Sequence, residues 1–166
     1  MESRVTSLGG VGQRIADGVL STCESDYNRI LGYFGGIAPP GLPFDIFLAP
    51  LSPNMDGSGG ASHPTCLSGE IQADVKSNPA LDVDLSRFLV IAEIVEVFSA
   101  AQNLGWDCGV DNGEGLSRVL ASGLYPSRAR WYSSASFWLD SKGRPDYVDS
   151  NLSTVTWLPT VVPCSF

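Results

Sequence analysis

Residues 88–98 read Phe-Leu-Val-Ile-Ala-Glu-Ile-Val-Glu-Val-Phe, eleven residues of which nine are apolar. The Val and Ile content suits a β run, but the apolar pattern extends over 85–101, longer than most strands, and this length favours a helix. A helix apolar on every side is a buried helix. A bare carboxylate inside it costs on the order of several kcal/mol. Glu93 and Glu96 therefore need a partner, a cleft or a proton. Three residues apart, they lie on one face, and Ala92 shares that face because it stands one turn before Glu96.

Composition narrows what surrounds this helix. The 166 residues are about one domain's worth of chain, large enough for a substantial core. A formal charge of −8 and only two lysines argue against nucleic acid or an anionic membrane surface as partner. The longest apolar run is interrupted by the two glutamates, so no segment is expected to span a bilayer. The N-terminal stretch over 1–18 has no apolar core of the kind that marks a signal peptide. Four cysteines, Cys23, Cys66, Cys108 and Cys164, suit an exported protein whose leader is absent from this chain, and equally suit buried thiols. Their wide spacing excludes the close pairs of a zinc finger.

Along the chain, Val11, Ile15, Val19, Cys23, Tyr27, Ile30, Leu31 and Phe34 recur every three or four residues and predict a long amphipathic helix, stopped by Gly35-Gly36. A proline-rich turn follows, and Phe44-Asp45-Ile46-Phe47-Leu48 alternates as a strand ended by Pro50. The glycine-rich stretch over 52–63 reads as a loop. One or two short strands are expected over 65–76, with Ser68-Gly69 as a turn or bulge. Asp82 and Asp84 are natural caps for the buried helix, which should end near Asn103–Gly105. A Gly/Asp-rich loop then leads into a helix from Glu114 to about Leu124, stopped by Pro126, and a third helical pattern covers 130–139. Asn151-Leu152-Ser153 is a formal glycosylation triplet.

Ala92-Glu93-Ile94-Val95-Glu96, followed eighteen residues later by Glu114, resembles the active-site layout of the gluzincin metallopeptidases. There, two histidines one turn apart bind zinc, the residue after the first is the general-base glutamate, and a following helix supplies a third, glutamate ligand. The resemblance puts Glu93 at the general-base position and Glu114 at the third ligand, while Ala92 and Glu96 stand in place of the histidines. The chain also looks like a little-characterised group of bacterial zincin-like proteins in which an AExxE helix precedes GW-C-G, NGEGLSRVLA-LYP and WLDS-RPD-V segments. Here those are Gly105-Trp106-Asp107-Cys108-Gly109, the stretch over 112–126, and Trp138-Leu139-Asp140-Ser141 with Arg144-Pro145-Asp146-Tyr147-Val148. The ligand layout covers roughly 44–125, in the order long helix, small sheet, active helix, glutamate helix. No family feature falls on 154–166, so truncation or divergence is expected after about residue 150.

The implied fold is α+β: a single zincin-like domain over 1–166, a small β-sheet packed with a buried active-site-like helix and further helices. The implied function turns on the missing donors. Alanine offers none, and zinc needs nitrogen or sulfur ligands or a mixture of these with carboxylate. No resident metal and no cofactor is expected, and the chain reads as a non-catalytic metallopeptidase relative that binds a peptide or small molecule or has a structural role. The candidate binding residues are Glu96, Glu114, His63 and Asp111, with His63 an ordinary loop histidine on the blander reading. The alternative is a hydrolase using Glu93, Glu96 and Glu114, either with a hard, oxygen-seeking metal or as a glycosidase acid/base pair roughly 5 to 10 Å apart. The plainer structural reading is a buried polar network in which Arg118 or Arg87 neutralises the glutamates.

Overall fold

The computed structural model describes residues 9–50, 60–62, 70–75, 83–104 and 112–128. In chain order these form α1 (Gly9–Tyr33), β1 (Asp45–Pro50), β2 (Gly60–Ser62), β3 (Glu70–Val75), α2 (Val83–Ala101) and α3 (Asn112–Leu124). The fold is α+β.

Helix α1 buries the stripe its periodicity marks, with Ile15, Val19, Ile30 and Phe34 at spacings of four, eleven and four. Its end is set by backbone chemistry. Gly35 and Gly36 have φ of 67° and 85°, a region where a Cβ is strained. Their amides close the last turn: Gly35 N–H donates to the Gly32 carbonyl at 3.2 Å and Gly36 N–H to that of Leu31 at 2.8 Å. This is the Schellman pattern, which satisfies carbonyls that a helix end leaves unpaired.

The three strands lie in the order β1-β3-β2. β1 runs parallel to β3, with Ile46 beside Ile71 and Leu48 beside Ala73, and β2 runs antiparallel to β3 on its other side. Alternation along the strands then sorts the faces. Ile71 and Ala73 are fully buried and Ile46 and Leu48 half-buried, whereas Gln72 and Phe47 are exposed on the opposite face. Helix α1 covers the inner face through Ile15 and Val19, which pack against Ile46 and Leu48.

One expectation is corrected here. The stretch over 52–63 is not loop throughout, because Gly60-Ala61-Ser62 pairs with β3; small residues carry no periodic signal, and the strand exists by tertiary pairing alone. β1 ends at Pro50 as expected, and a proline is tolerated there as the last residue of an outer strand of the described sheet. The expectations at 65–69, 130–139, Asn151-Leu152-Ser153 and Cys66, Cys108 and Cys164 fall outside the described residues.

Helix α2 is buried at every position from 86 to 99 except Arg87 and Glu93. It packs against α3 on one flank, α1 on another, and the sheet through β3 and β2. Phe98 is fully buried among aromatics, stacked on Phe34 at 5.5 Å between ring centroids and tilted against Tyr27 at 5.3 Å. Rings in these offset arrangements gain about 0.5–1.5 kcal/mol beyond their burial. The helix begins at Val83, two residues before the apolar pattern, so Asp84 sits in its first turn rather than capping it. Asn103, at φ 53°, carries the chain out of the helix as expected.

Where α1 meets the start of α2, the Val83 side chain packs directly against Gly18. A Cβ on Gly18 would lie 2.3 Å from Val83 Cγ1. Arg87 locks the same crossing, donating from Nη2 and Nε to the Gly18 carbonyl at 2.7 and 3.0 Å and from Nη2 to Ser21 Oγ at 3.0 Å. Its Nη1 pairs with Asp84 Oδ1 at 3.0 Å. Gly18→Ala should therefore destabilise by about 1–3 kcal/mol despite alanine's better helix propensity. Urea midpoints check this, and adding Val83→Ala should recover most of the loss; a neutral or stabilising Gly18→Ala would show that the crossing is loose.

Candidate functional site

The site is built on the face of α2 that carries Ala92, Glu93 and Glu96, together with α3 packed beside it. Ala92 is buried, Glu93 is half-buried, and Glu96 retains 2% of its surface. One partner of Glu96 comes from the neighbouring helix: Ser117 Oγ, itself buried, donates to Glu96 Oε1 at 3.0 Å. Ser117 reaches this position because it lies on the buried stripe of α3 with Leu120, Ala121 and Leu124. A hydroxyl on an otherwise apolar stripe opposite a buried carboxylate supplies the hydrogen bond that burial demands. Ser99, one turn beyond Val95 on α2 and also fully buried, donates to the Val95 carbonyl at 2.8 Å.

The remaining predicted site residues are placed unequally. Glu114 belongs to α3, one turn before Ser117, but its side chain lies outside the described residues, as do His63 and Asp111. Arg87 does not fill the expected role of neutralising the glutamates: its guanidinium is engaged with Gly18, Ser21 and Asp84 at the α1 crossing. Arg118 is half-buried on α3. Among the described residues no group of three or more His, Cys, Asp or Glu side chains is gathered in a way that could hold a metal ion. No described helix is long and apolar enough to cross a membrane.

A second buried carboxylate escaped the sequence reading. Asp26 of α1 is buried and accepts a hydrogen bond from the hydroxyl of Tyr125, the residue that follows α3. Thr22 Oγ1 lies 3.1 Å from the same hydroxyl. The signal was present, since Asp26 falls seven residues after Val19 and four before Ile30 on the apolar face of α1. Burial first, then the hydrogen bond to Asp26, pushes the Tyr125 hydroxyl up to about 12.

Both contacts make predictions. Ser117→Ala leaves Glu96 Oε1 without this donor and should cost about 1–3 kcal/mol. In a double-mutant cycle with Glu96→Leu, which removes the acceptor, the two changes should couple by about 0.5 kcal/mol or more, and strict additivity would show that the hydroxyl and carboxylate do not interact. For Tyr125 the folded state holds its proton above the unfolded value, so its contribution is fully present below pH 10 and is lost as pH rises from there toward about 12. Stability measured by denaturation across that window should fall less steeply in Tyr125→Phe than in the parent, and parallel profiles would contradict the contact.

No family model, no curated protein and no solved structure matches this chain.

Proposed function

We propose that this chain is a zincin-like protein that has lost zinc-dependent catalysis and acts as a binding or structural relative of the metallopeptidases. The reading rests on the resemblance of the Ala92-to-Glu96 helix and Glu114 to the gluzincin layout, and on the described order of elements: a long helix, a small sheet, a buried helix and a following helix.

The observation that carries the loss of catalysis is at the two histidine positions. Ala92 has no donor atom, and Glu96 is a carboxylate closed off from solvent that accepts the Ser117 hydroxyl between α2 and α3. A catalytic zinc needs three protein donors and an open position for water. With one donor absent and the other turned into an interhelical contact, the residues present do not fit zinc. The same burial weighs against Glu96 as a glycosidase acid or base, because such a group must reach its substrate within hydrogen-bond distance. Glu93 is the more accessible of the two, and the general-base role the resemblance gives it has no metal-bound water to act on. The ligand of such a protein is a peptide or small molecule; the charge of −8 disfavours nucleic acid.

The purified protein should contain no stoichiometric zinc by elemental analysis at neutral pH and should leave a general peptide substrate uncut. Restoring the nitrogen donors by Ala92→His together with Glu96→His should give a protein that retains zinc through dialysis. Tightly held stoichiometric zinc in the unmodified chain, or zinc-dependent peptide cleavage by it, would overturn the reading.

A further inference from the structure

A groove of about 670 Å³ opens on the other side of α2, between α1, β1 and the proline-containing loop that precedes β1. Ile94, two residues and therefore about 200° of helical turn from Glu96, contributes to its lining, so the groove is separate from the glutamate face. Ile94 and Phe44 are buried and form its floor, while half-buried Leu20, Tyr27 and Ile46 form its walls. The wall is fixed rather than adaptable at Tyr27, whose ring packs edge-on to Phe44 at 6.3 Å and against Phe98 at 5.3 Å. A concave, mostly apolar site of this size, with few polar groups, is the ordinary form of a small-molecule site.

Among the described residues that line it, the charged one is anionic. Glu24, exposed on α1, lines the groove beside Cys23. The Cys23 thiol is pushed up, first by burial, and the carboxylates of Glu24 and Asp26 act in the same direction, so the thiol stands in a negative local field. An aromatic wall adds to the attraction for positive charge.

We infer that this groove binds a small hydrophobic cation, an aromatic or aliphatic body that fills the Ile94–Phe44 floor and carries an ammonium group toward Glu24. The apolar body supplies the affinity by burial. The carboxylate selects the sign of the head group, and at an exposed position that selection is worth only a few-fold in affinity. The inference is independent of the zincin-like reading, because no described residue of the groove belongs to the glutamate face.

The test uses the full chain and three probes of one shape: 2-(1-naphthyl)ethylammonium, 2-(1-naphthyl)ethanol and 1-naphthylacetate. The readout is the rate at which iodoacetamide alkylates Cys23 at mildly alkaline pH, followed by peptide mass spectrometry, with glutathione in the same mixture as the control thiol. The ammonium probe should slow alkylation of Cys23 selectively, at a concentration about two- to five-fold below that needed for the alcohol, with the acetate weakest. Glu24→Gln, a change at an exposed position, should bring the ammonium and alcohol to the same concentration. The inference is overturned if no probe protects Cys23, if glutathione is slowed alike, if the acetate matches the ammonium, or if the ammonium preference survives Glu24→Gln.

Discussion

The burial of α2 is the constraint on which the structure depends. Between 86 and 99 only Arg87 and Glu93 keep appreciable contact with solvent, so the polar groups among the remaining positions must be satisfied from within. Ser99 turns back to the Val95 carbonyl, and Glu96 takes the hydroxyl of Ser117. A carboxylate in that setting is tolerated because a neighbouring helix brings a donor to it, and the α2–α3 packing must be accurate enough to hold that donor at hydrogen-bond distance.

The same arrangement recurs at the other helix contacts. Arg87 ties α2 to the Gly18 carbonyl of α1, and Tyr125 ties the end of α3 to Asp26 of α1. Among the described residues, each pair of helices thus joins polar contacts to its apolar packing. Apolar burial supplies most of the attraction but is non-directional, whereas hydrogen bonds have a preferred geometry. The three contacts therefore fix how the helices sit on one another, while the Phe34, Phe98 and Tyr27 rings fill the space between them.

Much of this was legible in the sequence where periodicity is strong. The apolar run over 85–101 predicted a buried helix, and Gly35-Gly36 predicted the end of α1, because left-handed backbone conformations select glycine. Local pattern failed where pairing decides structure. Gly60-Ala61-Ser62 has no alternation and becomes a strand only because β3 is beside it. It failed again for the partners of the buried charges. A sequence shows that Glu96 needs a donor, but Ser117 is one of many serines until α3 is docked. Arg87, by charge the more obvious partner, is drawn instead to the carbonyl exposed where Gly18 lets the helices approach. The groove beside Cys23 was not legible either, since it is assembled from α1, β1, α2 and the loop between α1 and β1.

The proposed loss of zinc binding turns on Glu96 acting as a structural acceptor rather than a ligand. The most direct measurement is a crystal structure of the unmodified protein grown with excess zinc, with anomalous diffraction recorded at the zinc absorption edge. The account predicts Ser117 Oγ still at hydrogen-bond distance from Glu96 and no anomalous peak on that carboxylate. A zinc ion coordinated by Glu96, with the Ser117 hydroxyl displaced, would contradict it.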